Sequence, residues 1–412
     1  MPSAPSSPHV LIVGGGIGGL ALGQILRKHG VSFEIFERTE SRYARPEGWA
    51  VALHATSSIL PEFFAAMPDD MPSHNEITHL HPLKLGFEFA FYDPEVSLTK
   101  MGYRDDWRED SSDNSVIRAN RHRLRDWLLH NLPVQQGKQA VQIEENDDKV
   151  TVHFKDGTSA TGDILVGADG VKSVVRKHML KGSDKFEYDK ISILTSNLRL
   201  EGDALAEQLA LGHSAYMVVL KGPDGVYYRY FVGLDKVMPD GKSADYYFHL
   251  AWHDEDAPKD DHWTHSATAE QIHNFALRAT QNLPPQFRCM VERAKLEDIK
   301  APPLRLVTII LDSLPAGRVT LLGDSAHAMT PFLAMGAVHA IRDAMALGKA
   351  LTVLPDSSSS TIAKSLGEYQ ETMLTRGRAA AEQSRMAFAD PSLPKTMFER
   401  PVVALPKEHI SL

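Results

Sequence analysis

The residues near the amino terminus whose types and spacing point to chemistry are Gly14-Gly15-Gly16-Ile17-Gly18-Gly19 and, about twenty residues further on, Glu37. The apolar run Val10-Leu-Ile-Val13 leads straight into the glycines, and Phe33-Glu-Ile-Phe36 ends at the acid. Strand, glycine turn, helix and acid-tipped strand together hold a dinucleotide. Gly14 allows the tight turn, Gly16 lets the backbone approach a pyrophosphate, and Gly19 lets the helix lie close to the sheet. The helix start supplies free N–H groups and a positive dipole end for the phosphates. Glu37 is suited to accept hydrogen bonds from a ribose diol, and its charge repels a 2′-phosphate. The site is therefore expected to take FAD or NAD rather than NADP.

Two later segments carry similar local chemistry. Gly162-Asp-Ile-Leu-Val-Gly-Ala-Asp169-Gly170 is a buried strand running into a turn, followed by Ser173 and Arg176. Gly323-Asp324-Ser-Ala-His327 follows the apolar run Val319-Thr-Leu-Leu322 and leads through Pro331 into a helix. Asp324, where a strand ends and a helix begins, is placed to accept hydrogen bonds from a polyol chain or to cap the helix. The sequence alone leaves Asp169 as a turn cap or a ligand contact.

Other elements position these groups. Arg121–Leu132 has leucines and Trp127 at helical spacing, and 140–145 with 150–154 reads as a hairpin. Between 185 and 300 the pattern changes to long alternating strands, 191–200, 215–221, 226–234 and 246–252, followed by a helix over 270–281. In 226–231, Tyr228 and Tyr230 share one face while Tyr227 and Arg229 share the other. Helices are expected over 338–354 and 361–388. Loops are expected at 68–75 and 105–114.

Bulk properties exclude several classes. The chain has 412 residues, 43% apolar and 24% charged, with a formal net charge of −9 and no basic tract for nucleic acid. Its single cysteine, Cys289, rules out a disulfide framework and the dithiol of the flavin disulfide reductases. No spacing among the 19 histidines suggests a zinc site, and His54, His327 and His339 are expected to be structural or helix-surface residues rather than metal ligands. The first eight residues lack a secretory pattern, and no run approaches ~18 apolar residues, so neither export nor a membrane span is expected. The expected location is cytoplasmic.

Taken in order, the three motif segments resemble the single-component FAD-dependent monooxygenases, the aromatic hydroxylase and salicylate hydroxylase-like flavoproteins. The resemblance covers nearly the whole chain. It implies an α/β fold: a Rossmann-like FAD-binding domain with an inserted, mostly antiparallel substrate sheet and C-terminal helices. The FAD-binding parts are expected at 1–80, 111–184 and 305–356, the substrate parts at 81–110 and 185–304, and a helical region at 357–412.

The resemblance further implies FAD as cofactor, NADPH or NADH as transient reductant, and O₂ as co-substrate, with a flavin C4a-hydroperoxide delivering one oxygen atom. It assigns cofactor contacts to Gly14, Gly16, Gly19, Glu37, Ala50, Arg121, Asp169, Asp324, Pro331 and Ala337, with Arg123 or Arg125 able to share the role of Arg121. Arg199 and Tyr228 stand where some relatives use an arginine and a tyrosine toward substrate. The implied reaction is hydroxylation or epoxidation of an aromatic, indolic or polycyclic molecule in secondary metabolism, by a monomer or homodimer. No second glycine fingerprint is present, consistent with a nicotinamide that visits briefly. No Trp-x-Trp-x-Ile segment points to halogenation.

The chain departs from the family at Pro331-Phe-Leu-Ala334-Met-Gly336-Ala337-Val338, where glycine is usual at 334 and asparagine at 338. A positive φ at Ala334 carries a steric cost. This leaves two alternatives: a related flavoenzyme catalysing dehydrogenation or cyclisation, and a flavin-binding protein with impaired turnover.

Overall fold

The computed structural model describes residues 8–41, 49–54, 59–93, 97–105, 116–183, 186–389, 396–397, 400–401 and 403–412. Its first layer is a five-stranded sheet in the order Val319–Leu321, Ile164–Gly167, Val10–Val13, Phe33–Phe36, Val134–Gln135. Every pair is parallel. Val10–Val13 and Ile164–Gly167 are buried at every position, which explains why they read as unbroken apolar runs rather than alternating ones. The three motif turns thus leave from the carboxyl ends of three adjacent strands, where open α/β sheets bind ligands.

Helix Ile17–Lys28 crosses from the first strand to the second, and every residue from Ile17 to Leu26 is buried. It lies against helix Gly336–Thr352, and a Cβ at Gly348 would stand 2.6 Å from Ile25 Cγ2. Helix Ser359–Ala389 runs along the sheet, where Tyr369 donates to Leu321 O at 2.9 Å.

The second layer is a seven-stranded sheet in the order Ile191–Glu201, Ser243–His253, Tyr227–Val237, Ala215–Lys221, Glu88–Asp93, Ser97–Arg104, Val403–Ala404. It is antiparallel except where Ala215–Lys221 pairs with Glu88–Asp93. Period-two alternation divides its side chains. One face (Leu194, Tyr216, Tyr228, Tyr230, Phe248, Trp252) is buried under helices Gly202–Leu211, Ala269–Ala279 and Pro285–Glu292. The other face carries Phe89, Phe91, Met217 and Phe231, and Ala334 of the third motif segment lies against it.

The α/β architecture with an inserted, mostly antiparallel sheet follows the sequence pattern. Two features differ from it. Glu88–Asp93 and Ser97–Arg104 form two strands of the large sheet, although their sequence alternates poorly. The tail expected to be helical includes the strand Val403–Ala404, with Val403 opposite Gly102, and beyond it Glu408 is bonded to Arg104 at 2.7 Å and His213 at 3.1 Å. Neither tail feature has a local signal, because a two-residue edge strand is set by its partner.

Candidate active site

Each glycine of the first motif has a distinct steric role. Gly14 has φ +121, and a Cβ there would meet Ala168 O at 2.1 Å; one at Gly19 would meet Gly14 O at 2.1 Å. Gly16 differs: a Cβ there meets nothing within 4 Å. It starts the helix without a side-chain cap, so the N–H groups of the first turn stay available to an anion. Arg125 Nε, one helical turn after Arg121, donates to Gly15 O at 2.9 Å. Arg123 instead binds the carbonyls of Thr78, His81 and Val237. Of the three candidate arginines, Arg125 therefore holds the glycine loop, and Arg121 begins the helix Arg121–Leu128.

Glu37 accepts from Gly15 N at 2.8 Å and from Thr39 N and Oγ1 at 3.0 Å each. A carboxylate has about four acceptor positions, so one stays open for a ribose hydroxyl. The acid also braces the glycine loop, which the sequence did not reveal.

Asp169 uses both oxygens within its own turn. It accepts from Ser173 Oγ at 2.5 Å and from Val174 N at 2.7 Å. Burial pushes its carboxyl above the usual range, against the pull of these donors. The capping alternative is thus what its side chain does here. Arg176, fully buried, joins the second motif to the third by donating to Ser325 O at 2.9 Å and Val171 O at 2.7 Å.

Asp324 stands apart. The segment Leu321–Ala328 is buried at every other position, yet Asp324 is exposed. Its carboxylate has no hydrogen bond or ion pair among the described residues. Pro331 opens a short turn just beyond, and Ala337 lies in the first turn of Gly336–Thr352, which lacks a side-chain cap. The open surface over Gly16, the free Asp324 carboxylate and these uncapped N–H groups suit a cofactor with phosphates and a polyol chain. These are the requirements of FAD. Asp324→Ala is expected to weaken FAD binding by about tenfold or more, given ~1.5–3 kcal/mol for hydrogen bonds to a charged group. Titration of apoprotein with FAD checks this, and the melting temperature of the apoprotein should not move.

Ala334 takes the left-handed conformation, φ +53 and ψ 31, so the turn persists with a methyl group on it. Val338 is buried in the core at 1% exposure, so its side chain packs inward where the family places an amide. Ala334→Gly should relieve ~1 kcal/mol of backbone strain and raise the melting temperature by about 1–2 °C. A drop in a thermal scan would show that the packing of the methyl outweighs the strain.

The substrate-side candidates need correction. Tyr228 is buried on the helix-covered face, its hydroxyl donating to Asp224 at 2.6 Å and its ring beside Trp252 at 5.7 Å. Burial and the Asp224 carboxylate both raise its pKa. That places it across the sheet from Ala334, because odd and even positions of one strand face opposite ways. Arg199 is on the other face, but its side chain is 55% exposed and bonded to Asp245 at 2.7 Å, at the sheet's outer edge. Ala50 is half-buried immediately before strand Val51–His54, while Pro46–Gly48 and the side chain of His54 lie outside the described residues.

The family model described as "FAD binding domain" matches residues 8–384. An FAD-dependent monooxygenase of Trichoderma harzianum is 42% identical over 386 residues, 92% of each chain. The chain belongs to the FAD-dependent monooxygenase family. The fold of this monooxygenase is also that of solved structures at lower identity. The 2,6-dihydroxypyridine-3-hydroxylase of Arthrobacter nicotinovorans aligns with TM-score 0.72 at 18% identity, covering 99% of this chain and 100% of that one. Klebsiella pneumoniae HpxO, solved with FAD and uric acid, gives 0.68 at 21% identity, covering 92% and 87%.

Sequence reasoning missed the monooxygenase's buried ionic cluster beneath the third motif. His327 Nε2 is 2.6 Å from Asp343, which also accepts from Gly323 N at 2.8 Å and from Arg376. Burial opposes charge on His327, but Asp343 outweighs it and the imidazole pKa is raised. His339, nearby, is held down to about 3 by burial and the neighbouring His327. His327 is thus tied into the cluster, whereas neither ring nitrogen of His339 has a hydrogen bond among the described residues. Among the described residues no cluster could hold a metal ion, and no helix is long and apolar enough to cross a membrane.

Proposed function

We propose that this FAD-dependent monooxygenase uses NADPH or NADH and O₂ to place one oxygen atom on an aromatic, indolic or polycyclic small molecule of secondary metabolism. When bound, FAD would supply the redox chemistry of hydride acceptance and single-atom transfer from O₂. The chain's own residues do the holding. Gly14, Gly16 and Gly19 shape the phosphate turn, Arg125 and Glu37 brace it, and Asp324 takes the polyol chain. Arg121, Ala50, Asp169, Pro331 and Ala337 complete the proposed cofactor contacts through side chain or backbone.

The observation that carries this reading is the position of Ala334. The segment that follows Asp324 lies directly on the aromatic face of the large sheet. A ring held by that segment is next to the half-buried Met217 and Phe231, with Phe89 and Phe91 buried in the same cluster; such a surface suits a planar apolar molecule and keeps water away from the reaction. The FAD-loaded protein should oxidise NADPH or NADH faster with substrate than without, and give product carrying one atom from labelled O₂. Rapid flavin reduction with all oxygen recovered as hydrogen peroxide, across a library of ring systems, overturns oxygen transfer to such molecules.

A further inference from the structure

The proposed function leaves open how large a ring system the aromatic face admits. On that face the register aligns Met217, Phe231, His249 and Thr195 in one row across adjacent strands, and Val219, Arg229, Ala251 and Ile193 in the next. The rows are two residues apart along each strand, so ~7 Å separates them. The third motif segment touches both. Ala334 lies with Phe231 and Met217, whereas Phe332, just before it, packs on the cluster of Ile191, Ile193, Ala251 and Phe388.

Aromatic groups bound the first row. Trp49 stands edge-on to His249 at 4.3 Å and 86°, which leaves the half-buried Met217 and Phe231 as the floor beside Ala334. Over the second row, Phe332 meets Phe388 of helix Ser359–Ala389, with ring centroids 4.3 Å apart and tilted by 37°. Phe332 is half-buried and forms the front of a wall; Phe388 is 7% exposed and forms its backing. A ring laid over Phe231 is one row from that wall, already within the roughly 4.5–7 Å at which aromatic rings touch. A further fused ring on that side would overlap Phe332.

Arg229 fixes the backing in place. Its Nη2 donates to Phe388 O at 3.1 Å, and its guanidinium lies 4.8 Å from the centroid of the Phe388 ring. The carbonyl of Phe388 is among the last of its helix, which no helical N–H reaches, so the sheet caps the helix end. The cation over the ring holds the side chain against the strand. Alternation makes this possible. Arg229 faces the cofactor side, whereas Tyr228 and Tyr230 lie under the helices of the other face.

We propose that Phe388 is a specificity-determining residue of this monooxygenase: held by Arg229, it backs Phe332 as the end wall of the substrate floor and excludes ring systems that extend past Phe231 toward Arg229. The accepted class is then a compact planar ring system lying over Phe231 and Met217, not an extended one. This deepens the proposed function and rests on it. The two fail separately, because the wall is read from binding to the oxidised protein and the function from oxygenated product.

The test titrates oxidised holoenzyme with 2-naphthol and with the larger 1-hydroxypyrene, followed by the flavin absorbance. The wild type should bind 1-hydroxypyrene about tenfold more weakly than 2-naphthol, or worse. Phe388→Ala should tighten 1-hydroxypyrene about tenfold, the relief of an overpacked contact, and leave 2-naphthol within about twofold, with FAD content retained. Arg229→Met keeps the bulk but removes both interactions with Phe388. It should shift the same ratio in the same direction by a smaller factor, and it decides the question if the alanine variant does not fold. A merely structural role would change both probes together, or lower the melting temperature alone. Equal binding of the two probes by the wild type, binding of neither, or an unchanged ratio in the variants overturns the wall.

Discussion

Asp343→Ala is expected to lower the unfolding free energy by ~3–5 kcal/mol, the cost of removing one partner from a buried charged cluster. Asp343 is fully buried and takes bonds from His327, Arg376 and the Gly323 N–H. Without it, two side chains and one backbone group lose their acceptor together. Gly377 allows helix Ser359–Ala389 to cross this point, since a Cβ there would stand 2.6 Å from the His327 ring. The alanine variant should therefore loosen the long helix from the Gly323–Asp324 turn, and denaturant titration would register the loss.

The same cluster gives stability a pH dependence. Asp343 is pushed up by burial but drawn below 3.8 overall by His327, Arg376 and Gly323 N–H. Its contribution is present above 3.8 and is lost as pH falls through the lower folded value. His327 is raised above 6.5. Its contribution is complete below 6.5 and is lost as pH rises through the higher folded value. The pair is fully effective between these limits, so the wild type should lose stability on the alkaline side. His327→Asn should flatten that alkaline fall; an unchanged profile would refute the assignment.

Gly16→Val should separate binding from folding. Its Cβ position is open, so the apoprotein should melt within about 1 °C of wild type, as surface changes do. FAD affinity should fall about a hundredfold, because branched carbons occupy the approach to the helix N–H groups that hold pyrophosphate. Gly14→Ala should behave oppositely. Its methyl would lie 2.1 Å from Ala168 O at φ +121, so the fold itself should lose ~3 kcal/mol or more. Thermal scans of apoprotein beside FAD titrations distinguish the two, and comparable apoprotein losses would contradict the division of roles.

The sequence by itself determined the parallel sheet, its three motif turns and the family, because each signal is local. A buried strand is an apolar run, a tight turn is a glycine, and a cofactor acid follows at a spacing that one helix sets. The departure at Ala334 was legible too, but that the left-handed turn persists there, methyl group and all, is a finding of the structure. The alternation of 226–231 was legible, but not which face meets the cofactor. Nothing local separates the face of Tyr228 and Tyr230 from that of Tyr227 and Arg229; helices Ala269–Ala279 and Pro285–Glu292 cover the former. Only the tertiary structure decided that face. It alone decided the Asp343 cluster and the tail strand at Val403–Ala404. Those arrangements depend on contacts between residues tens to hundreds of positions apart, and nothing in either partner's neighbourhood records the other.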